Sequence, residues 1–231
     1  PRNPEAAAGM QLAMKVLSGP DDRDPSSIPC DGMDFHKAAL GKQKLNGRRI
    51  AYVGNIGGVI PLDQEVEKLV QAGAYAFEQL GCDVEEACFD ASDIQDIIMG
   101  TRGFGMVARY ADRYDKHKDL MTSQLINQVS AALDLSVRDV VRSERLRTRY
   151  WHKVRGFMEN FDYIVAPVVG APPFRLDEPL PRQVGGVAVD RFQDVFLSTY
   201  VFSVTGLPMI SVPCGLTTVS YTHLRAHETA T

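Results

Sequence analysis

The residues best suited to chemistry in this sequence are scattered, and they form no complete catalytic motif. His36, His117 and His152 have no serine or cysteine beside them in a nucleophile motif, so we expect surface or structural roles for them rather than general-base catalysis. Glu85 and Glu86 are adjacent, and a strand would place their side chains on opposite faces, which suits a solvent-exposed edge rather than paired acid and base work. The G-x-x-x-x-G-K-S/T, H-E-x-x-H and G-x-S-x-G motifs are also missing, so the enzyme classes that use them lose their usual support.

A glycine-rich turn at residues 54–58 follows an apolar run and precedes a helical pattern, as in dinucleotide-binding proteins. The spacing fails, because Ile56 and Val59 stand where the G-x-G-x-x-G motif needs glycine and Pro61 intervenes before the helix. We expect an ordinary turn here. A non-catalytic α/β module that holds a ligand on this turn, at the switch of the sheet, is kept as the alternative from a different functional class.

A basic segment runs from Arg138 to Arg155, with a local net charge of +5 and with Tyr150 and Trp151 among the cations. RNA or another anionic surface could bind such a helix. Arginine stems also commonly cover apolar neighbours on a solvated face, and the whole chain carries a net charge of −4. We therefore expect no nucleic-acid partner, and an RNA-associated subunit is the weaker alternative.

The elements that must position these residues follow an α/β pattern. Asn3 before Pro4 predicts a capped helix over residues 6–17. A buried strand at 49–53, a helix capped by Asp63 and ended by Gly81, and a strand at 83–87 predict a parallel pair joined by a crossover. The other predictions are a surface connection at 21–47, two or three helices within 92–161 with the first loosened by three glycines, a strand at 162–167, a proline-rich loop to 181, a helix at 192–204 and a buried strand at 209–212.

The composition is that of an ordinary globular protein: 231 residues, of which 45% are hydrophobic and 23% charged. Four cysteines without C-x-x-C spacing indicate reduced thiols, and no apolar run approaches the ~20 residues of a membrane span. We expect a cytoplasmic protein with no membrane partner and no metal. His223 and His227 lie in a tail, residues 217–231, that we interpret as non-native or read-through sequence and exclude as metal ligands.

Five segments, in this order and at these separations, resemble the amidase signature family, and the resemblance spans residues 3–215. They are residues 16–26 (VLSGPDDRDPS), 49–52 (RIAY), 143–145 (SER), 161–167 (FDYIVAP) and 205–215 (TGLPMISVPCG). The first and last are the most specific. The resemblance implies an α/β fold with a mixed β-sheet covered by helices, of which residues 1–216 would form the C-terminal half.

The same resemblance implies hydrolysis of a small-molecule carboxamide through a Ser, cis-Ser and Lys triad, with no cofactor. In that family the triad lies N-terminal to the part matched here, so we expect the catalytic residues upstream of residue 1, no activity from this chain alone, and a homodimer of the longer parent protein. The start at Pro1 without methionine fits that expectation. An amidotransferase A-type subunit is an alternative within the family.

The resemblance places one wall of the acyl pocket in this chain. The substrate-binding residues it implies are Val168, Val169, Pro172, Thr199, Ser203 and Thr205. Two positions depart from the family pattern. Ser203 stands where asparagine is common, and Phe196 stands where amidotransferase subunits have an acidic residue that holds the substrate's amino group, which favours a general amidase.

Overall fold

The computed structural model describes residues 4–29, 35, 45–174 and 180–217. The chain divides into two compact units, Pro1–Leu45 and Asn46–Thr231. The first unit contains helix α1 (Pro4–Leu17), as the sequence predicted. The proposed cap at Asn3, and about half of the connection predicted at 21–47, lie outside the described residues.

The second unit is built on a parallel three-stranded sheet in the order β2-β1-β3. Its strands are β1 (Arg49–Tyr52), β2 (Asp83–Glu86) and β3 (Tyr163–Val165). Helix α2 (Gln64–Tyr75) and a 3₁₀ turn (Ala76–Leu80) connect β1 to β2, which confirms the predicted crossover onto a parallel strand. Asp63 caps α2 by accepting a hydrogen bond from Glu65 N at 2.8 Å, and Gly81 ends the 3₁₀ turn with φ +83°.

Three helices fill the connection from β2 to β3: α3 (Ile94–His117), α4 (Ser123–Leu133) and α5 (Val137–Met158). The expectation that glycines loosen α3 is wrong, because the helix is continuous and two of them allow close packing. A Cβ at Gly100 would collide with the side chain of Ser143 on α5, and one at Gly103 would collide with Leu135. Only the third, Gly105, has open space around it.

The sheet is covered on both faces. Alternate side chains along β1 point in opposite directions, so successive residues enter different parts of the interior. Ala51 and Val53 enter a core with α3, α5 and the C-terminal helices, whereas Tyr52 lies on the side of α2, with its hydroxyl 3.5 Å from Glu67 O. Strand β2 is an edge strand. Glu85 and Glu86 on it are both exposed, as the sequence predicted.

The last described segment differs from the prediction in two places. An antiparallel ribbon, β4 (Gln183–Val184) with β5 (Val187–Ala188), precedes helix α6 (Phe192–Val195) and helix α7 (Leu197–Ser203). The predicted single helix at 192–204 is broken at Phe196, which has φ −107° and ψ 18°. The buried strand predicted at 209–212 is wrong: these residues are exposed coil, because none of the described strands pairs with them.

Candidate functional site

Three of the implied acyl-pocket residues, Val168, Val169 and Pro172, lie at the carboxyl edge of the sheet, where the loops after β1 and β3 meet. Val53 N donates to Val165 O at 3.1 Å, and further along Asp63 N donates to Gly170 O at 2.8 Å. Gly170 packs so tightly that a Cβ there would collide with Pro61 O. The loop that carries Val168, Val169 and Pro172 is therefore held by backbone contacts from the neighbouring loop. In open α/β sheets, ligands bind at this carboxyl edge.

Several backbone amides of the glycine turn after β1 donate hydrogen bonds within the turn. Ile56 N donates to Val53 O, Ile60 N to Asn55 O and Gly58 N to the side-chain Oδ1 of Asn55, at 2.8, 2.9 and 3.1 Å. Ile56 is buried with φ +51°, in the left-handed region that β-branched residues rarely adopt. Since these amides already have acceptors within the turn, they are poorly placed to bind a phosphate group.

Helix α7 is tied to the Val168 loop by two hydroxyl groups. Ser198 Oγ and Thr199 Oγ1 both donate to Val168 O, at 2.8 and 2.7 Å. This contact unites two of the implied site residues, Val168 and Thr199. It leaves Val168 48% exposed and Val169 39% exposed, so the loop presents an apolar surface at the edge of the sheet.

The remaining implied hydroxyls lie at the far end of α7. Ser203 is exposed and one helical turn beyond Thr199, so the two share a face; its Oγ is 3.4 Å from Tyr200 O. Thr205 Oγ1 donates to Phe202 O at 2.6 Å and accepts from Leu207 N at 3.1 Å. Thr205 thus closes the turn that follows α7, and Ser203 has the least constrained hydroxyl of the three. Pro172 is half-buried in the loop after β3.

Two residues of α5 that sequence reasoning did not assign to the site hold α7 in place. Tyr150 Oη donates to Val201 O at 2.9 Å inside the core, and Arg147 Nε donates to Val204 O at 2.8 Å. Both carbonyls lie at the C-terminal end of α7, where backbone acceptors have no partner within the helix. Burial raises the pKa of Tyr150 well above its ordinary value. A signal for this role was present in the sequence, since a tyrosine on an apolar stripe needs a partner for its hydroxyl.

An ion-pair cluster lies next to the carboxyl end of β2. Lys153 Nζ of α5 is 2.6 Å from the Asp90 carboxylate and 3.3 Å from that of Asp93. The hydrogen bond from Lys153 holds the pKa of Asp90 well below its usual range, and the same bond raises the pKa of Lys153. Lys153 is therefore a charged structural partner of two carboxylates, which is the opposite of what a neutral base requires.

The match to known proteins covers nearly the whole chain. The model of the Amidase family matches residues 5–221. The chain belongs to the amidase signature family. This confirms the resemblance drawn from the five sequence segments and, with it, the α/β fold class.

Relatives within the amidase signature family include hydrolases and amidotransferase subunits. The chain is 27% identical over 212 residues to an acylamidase of Rhodococcus erythropolis, covering 89% of this chain and 43% of that protein. It is 26% identical over 242 residues to the A-type subunit of glutamyl-tRNA(Gln) amidotransferase from Desulforapulum autotrophicum, covering 90% and 46%. The chain therefore spans less than half the length of these relatives.

Solved structures of amidases share the fold of this chain. The crystal structure of a bacterial aryl acylamidase of the same family superposes with a TM-score of 0.78 at 28% identity, covering 92% of this chain and 45% of that one. The structure of 6-aminohexanoate cyclic dimer hydrolase, at 18% identity, shares the fold with a TM-score of 0.70 and covers 92% of this chain and 47% of that one.

Phe196 and Ser203 are the two positions at which we expected this chain to differ from the family pattern. Phe196, at the break between α6 and α7, packs against the apolar cluster of Val184, Val189 and Val195, so this position offers a hydrophobic ring rather than a carboxylate. Ser203 is exposed at the C-terminal end of α7. Among the described residues, no group of three His, Cys, Asp or Glu side chains is arranged to hold a metal ion. None of the described helices combines the length and apolarity that a bilayer crossing requires.

Proposed function

We propose that this chain is the C-terminal half of an amidase that hydrolyses the C–N bond of a small-molecule carboxamide. The observation that carries the proposal is the family match over residues 5–221, joined to sequence identity of 27–28% with an acylamidase and an aryl acylamidase. In this proposal the domain half, placed at residues 1–216 from the sequence, extends to residue 221 because the family match does, and the non-native tail is confined to residues 222–231. The triad of Ser, cis-Ser and Lys precedes residue 1, so this chain alone is inactive.

The proposed chemistry is acyl transfer through a covalent intermediate. A neutral lysine takes a proton from the bridging serine, which takes the proton of the nucleophilic serine as its Oγ attacks the amide carbonyl carbon. Backbone N–H groups stabilise the oxyanion that forms. The C–N bond breaks as the amine leaves with a proton, and water then hydrolyses the ester to release a carboxylic acid.

In this proposal the described chain contributes the wall that the acyl group contacts. Val168 and Val169 present exposed apolar side chains on a loop that is anchored on both sides, which supports binding of an alkyl or aryl acyl group. Ser203 supplies a hydroxyl for a polar substituent. Phe196 supports a general amidase over an amidotransferase subunit, because it cannot pair with a substrate amino group.

The test is hydrolysis of an aryl amide such as 4-nitroacetanilide by the full-length protein that carries this chain. We expect Val168→Asp to lower kcat/KM at least about tenfold, since it places a charge against an apolar group. The matched control is Val137→Asp at the start of α5, where the valine is 80% exposed and distant in sequence from the site.

Equal activity of the two variants would remove Val168 from the acyl pocket. A full-length sequence that lacks, upstream of residue 1, a lysine followed by a Gly/Ser-rich stretch with two serines would overturn the amidase proposal. Ligand-dependent stabilisation without any amide hydrolysis would favour the non-catalytic binding module instead.

A further inference from the structure

A cavity of about 390 Å³ lies between α3, α5 and α7. Three arginines line it: Arg102 and Arg109 from α3, and Arg147 from α5. None of the described residues that line it is acidic. The cavity is therefore positively charged although the whole chain is net negative.

Two of the three guanidinium groups are already oriented. Arg102 donates to Gln128 Oε1 at 2.7 Å, and its guanidinium carbon lies 5.7 Å from the centre of the Tyr200 ring. Arg147 is held by its Nε bond to Val204 O and lies 3.6 Å from the carboxylate of Glu144. Groups that are held in place before binding lose little conformational entropy when a ligand arrives.

The third arginine and the cavity floor complete the recognition chemistry. Arg109 is exposed and lies two helical turns from Arg102 on the same face of α3. Ile98 and Met106, which are 2% and 8% exposed, line the cavity as its apolar floor. A ligand that satisfies both parts of the cavity has an anionic head and an apolar body.

We infer that this cavity binds a small organic carboxylate, with the carboxylate on the arginines and the hydrocarbon part on Ile98, Met106 and the Tyr200 ring. Guanidinium groups form paired, charge-assisted hydrogen bonds with carboxylates. Of the implied acyl-pocket residues, Ser203 alone also lines this cavity. The inference depends on the cavity and not on turnover, so it stands or falls separately from the proposed amidase activity.

The test is binding of benzoate, acetate and inorganic phosphate to the full-length protein, measured by titration calorimetry at constant ionic strength. We expect a site that binds benzoate more tightly than acetate or phosphate. Val168→Asp, in the proposed acyl pocket, should leave this site unchanged, which separates it from binding of a carboxylic acid product in the acyl pocket. Arg109→Gln, a change at an exposed position, should weaken benzoate binding about tenfold, the effect of losing one charge-assisted hydrogen bond. Arg138→Gln is the matched control, because Arg138 is an exposed arginine of α5 that does not line this cavity.

Each remaining outcome contradicts the inference. The absence of saturable benzoate binding would show that the cavity holds no such ligand. Equal weakening by Arg109→Gln and Arg138→Gln would show a general effect of surface charge. Phosphate binding as tight as that of benzoate would refute the role of the apolar floor.

Discussion

Removing the Tyr150 hydroxyl should take away one of the two hydrogen bonds by which Tyr150 and Arg147 of α5 hold the C-terminal end of α7. Tyr150→Phe deletes one oxygen and leaves the ring, so packing in the core is kept. The bond it removes, 2.9 Å from Oη to Val201 O, joins two residues that are each 0% exposed. Val201 O lies in the last turn of α7, where the helix itself supplies no donor, and water has no access to replace the lost one.

The expected cost follows from that burial. A buried carbonyl left without its donor costs about 1–3 kcal/mol, and we expect the free energy of unfolding to fall by that amount. With a urea m value of about 2 kcal/mol/M, the midpoint should fall by about 0.5–1.5 M.

The assay is urea unfolding of the chain, followed by the fluorescence of Trp151, its single tryptophan and the neighbour of Tyr150 on α5. Tyr163→Phe is the control, because the Tyr163 side chain is 47% exposed and its loss should change the free energy by less than about 0.5 kcal/mol. If both variants unfold at the same midpoint with unchanged m values, the hydroxyl of Tyr150 does not hold α7 and the positioning argument is wrong.

Three further predictions concern packing and titration. Gly100→Ala should destabilise the chain by about 1–3 kcal/mol because its Cβ collides with α5, whereas Gly105→Ala, with open space, should stabilise it by about 0.5–1 kcal/mol in thermal unfolding. Lys153 lowers the pKa of Asp90, so the pair's contribution to the free energy of unfolding is present above the ordinary aspartate pKa of 3.8 and is lost as the pH falls below that value. Asp90→Asn should therefore make the free energy of unfolding fall less steeply in acid. If the variant has the same acid profile, the pair does not stabilise the fold. Burial raises the pKa of Tyr52 from 10.0 to about 12, so stability should decline as pH rises between these values, and Tyr52→Phe should reduce that decline in urea titrations at pH 9–12.

The sequence alone predicted the ends of an element correctly wherever a single residue type sets the backbone conformation at that point. Asp63 begins α2 and Gly81 ends the turn before β2 because a side-chain acceptor and a left-handed conformation are needed at those points. The parallel pairing of β1 with β2 followed from the helix between them.

Long-range packing explains what the sequence could not predict. The glycines of α3 resemble helix weaknesses because their partners, Ser143 and Leu135, lie more than thirty residues away in the chain. Residues 209–212 have the apolar character of a buried strand, yet a strand forms only where another strand offers its edge, and none of the described strands does.

The candidate site likewise has features that the sequence predicted and features that only packing decided. The sequence by itself determined the family, the loop that carries Val168 and the helix that carries Thr199 and Ser203, because those segments hold recognisable residue patterns. Only the tertiary structure decided that Thr199 bonds the Val168 carbonyl, that Tyr150 and Arg147 hold the far end of α7, and that three arginines line one cavity. The physical reason is that a hydrogen bond or a charged cavity depends on positions brought together by packing, which spacing along a single chain does not specify.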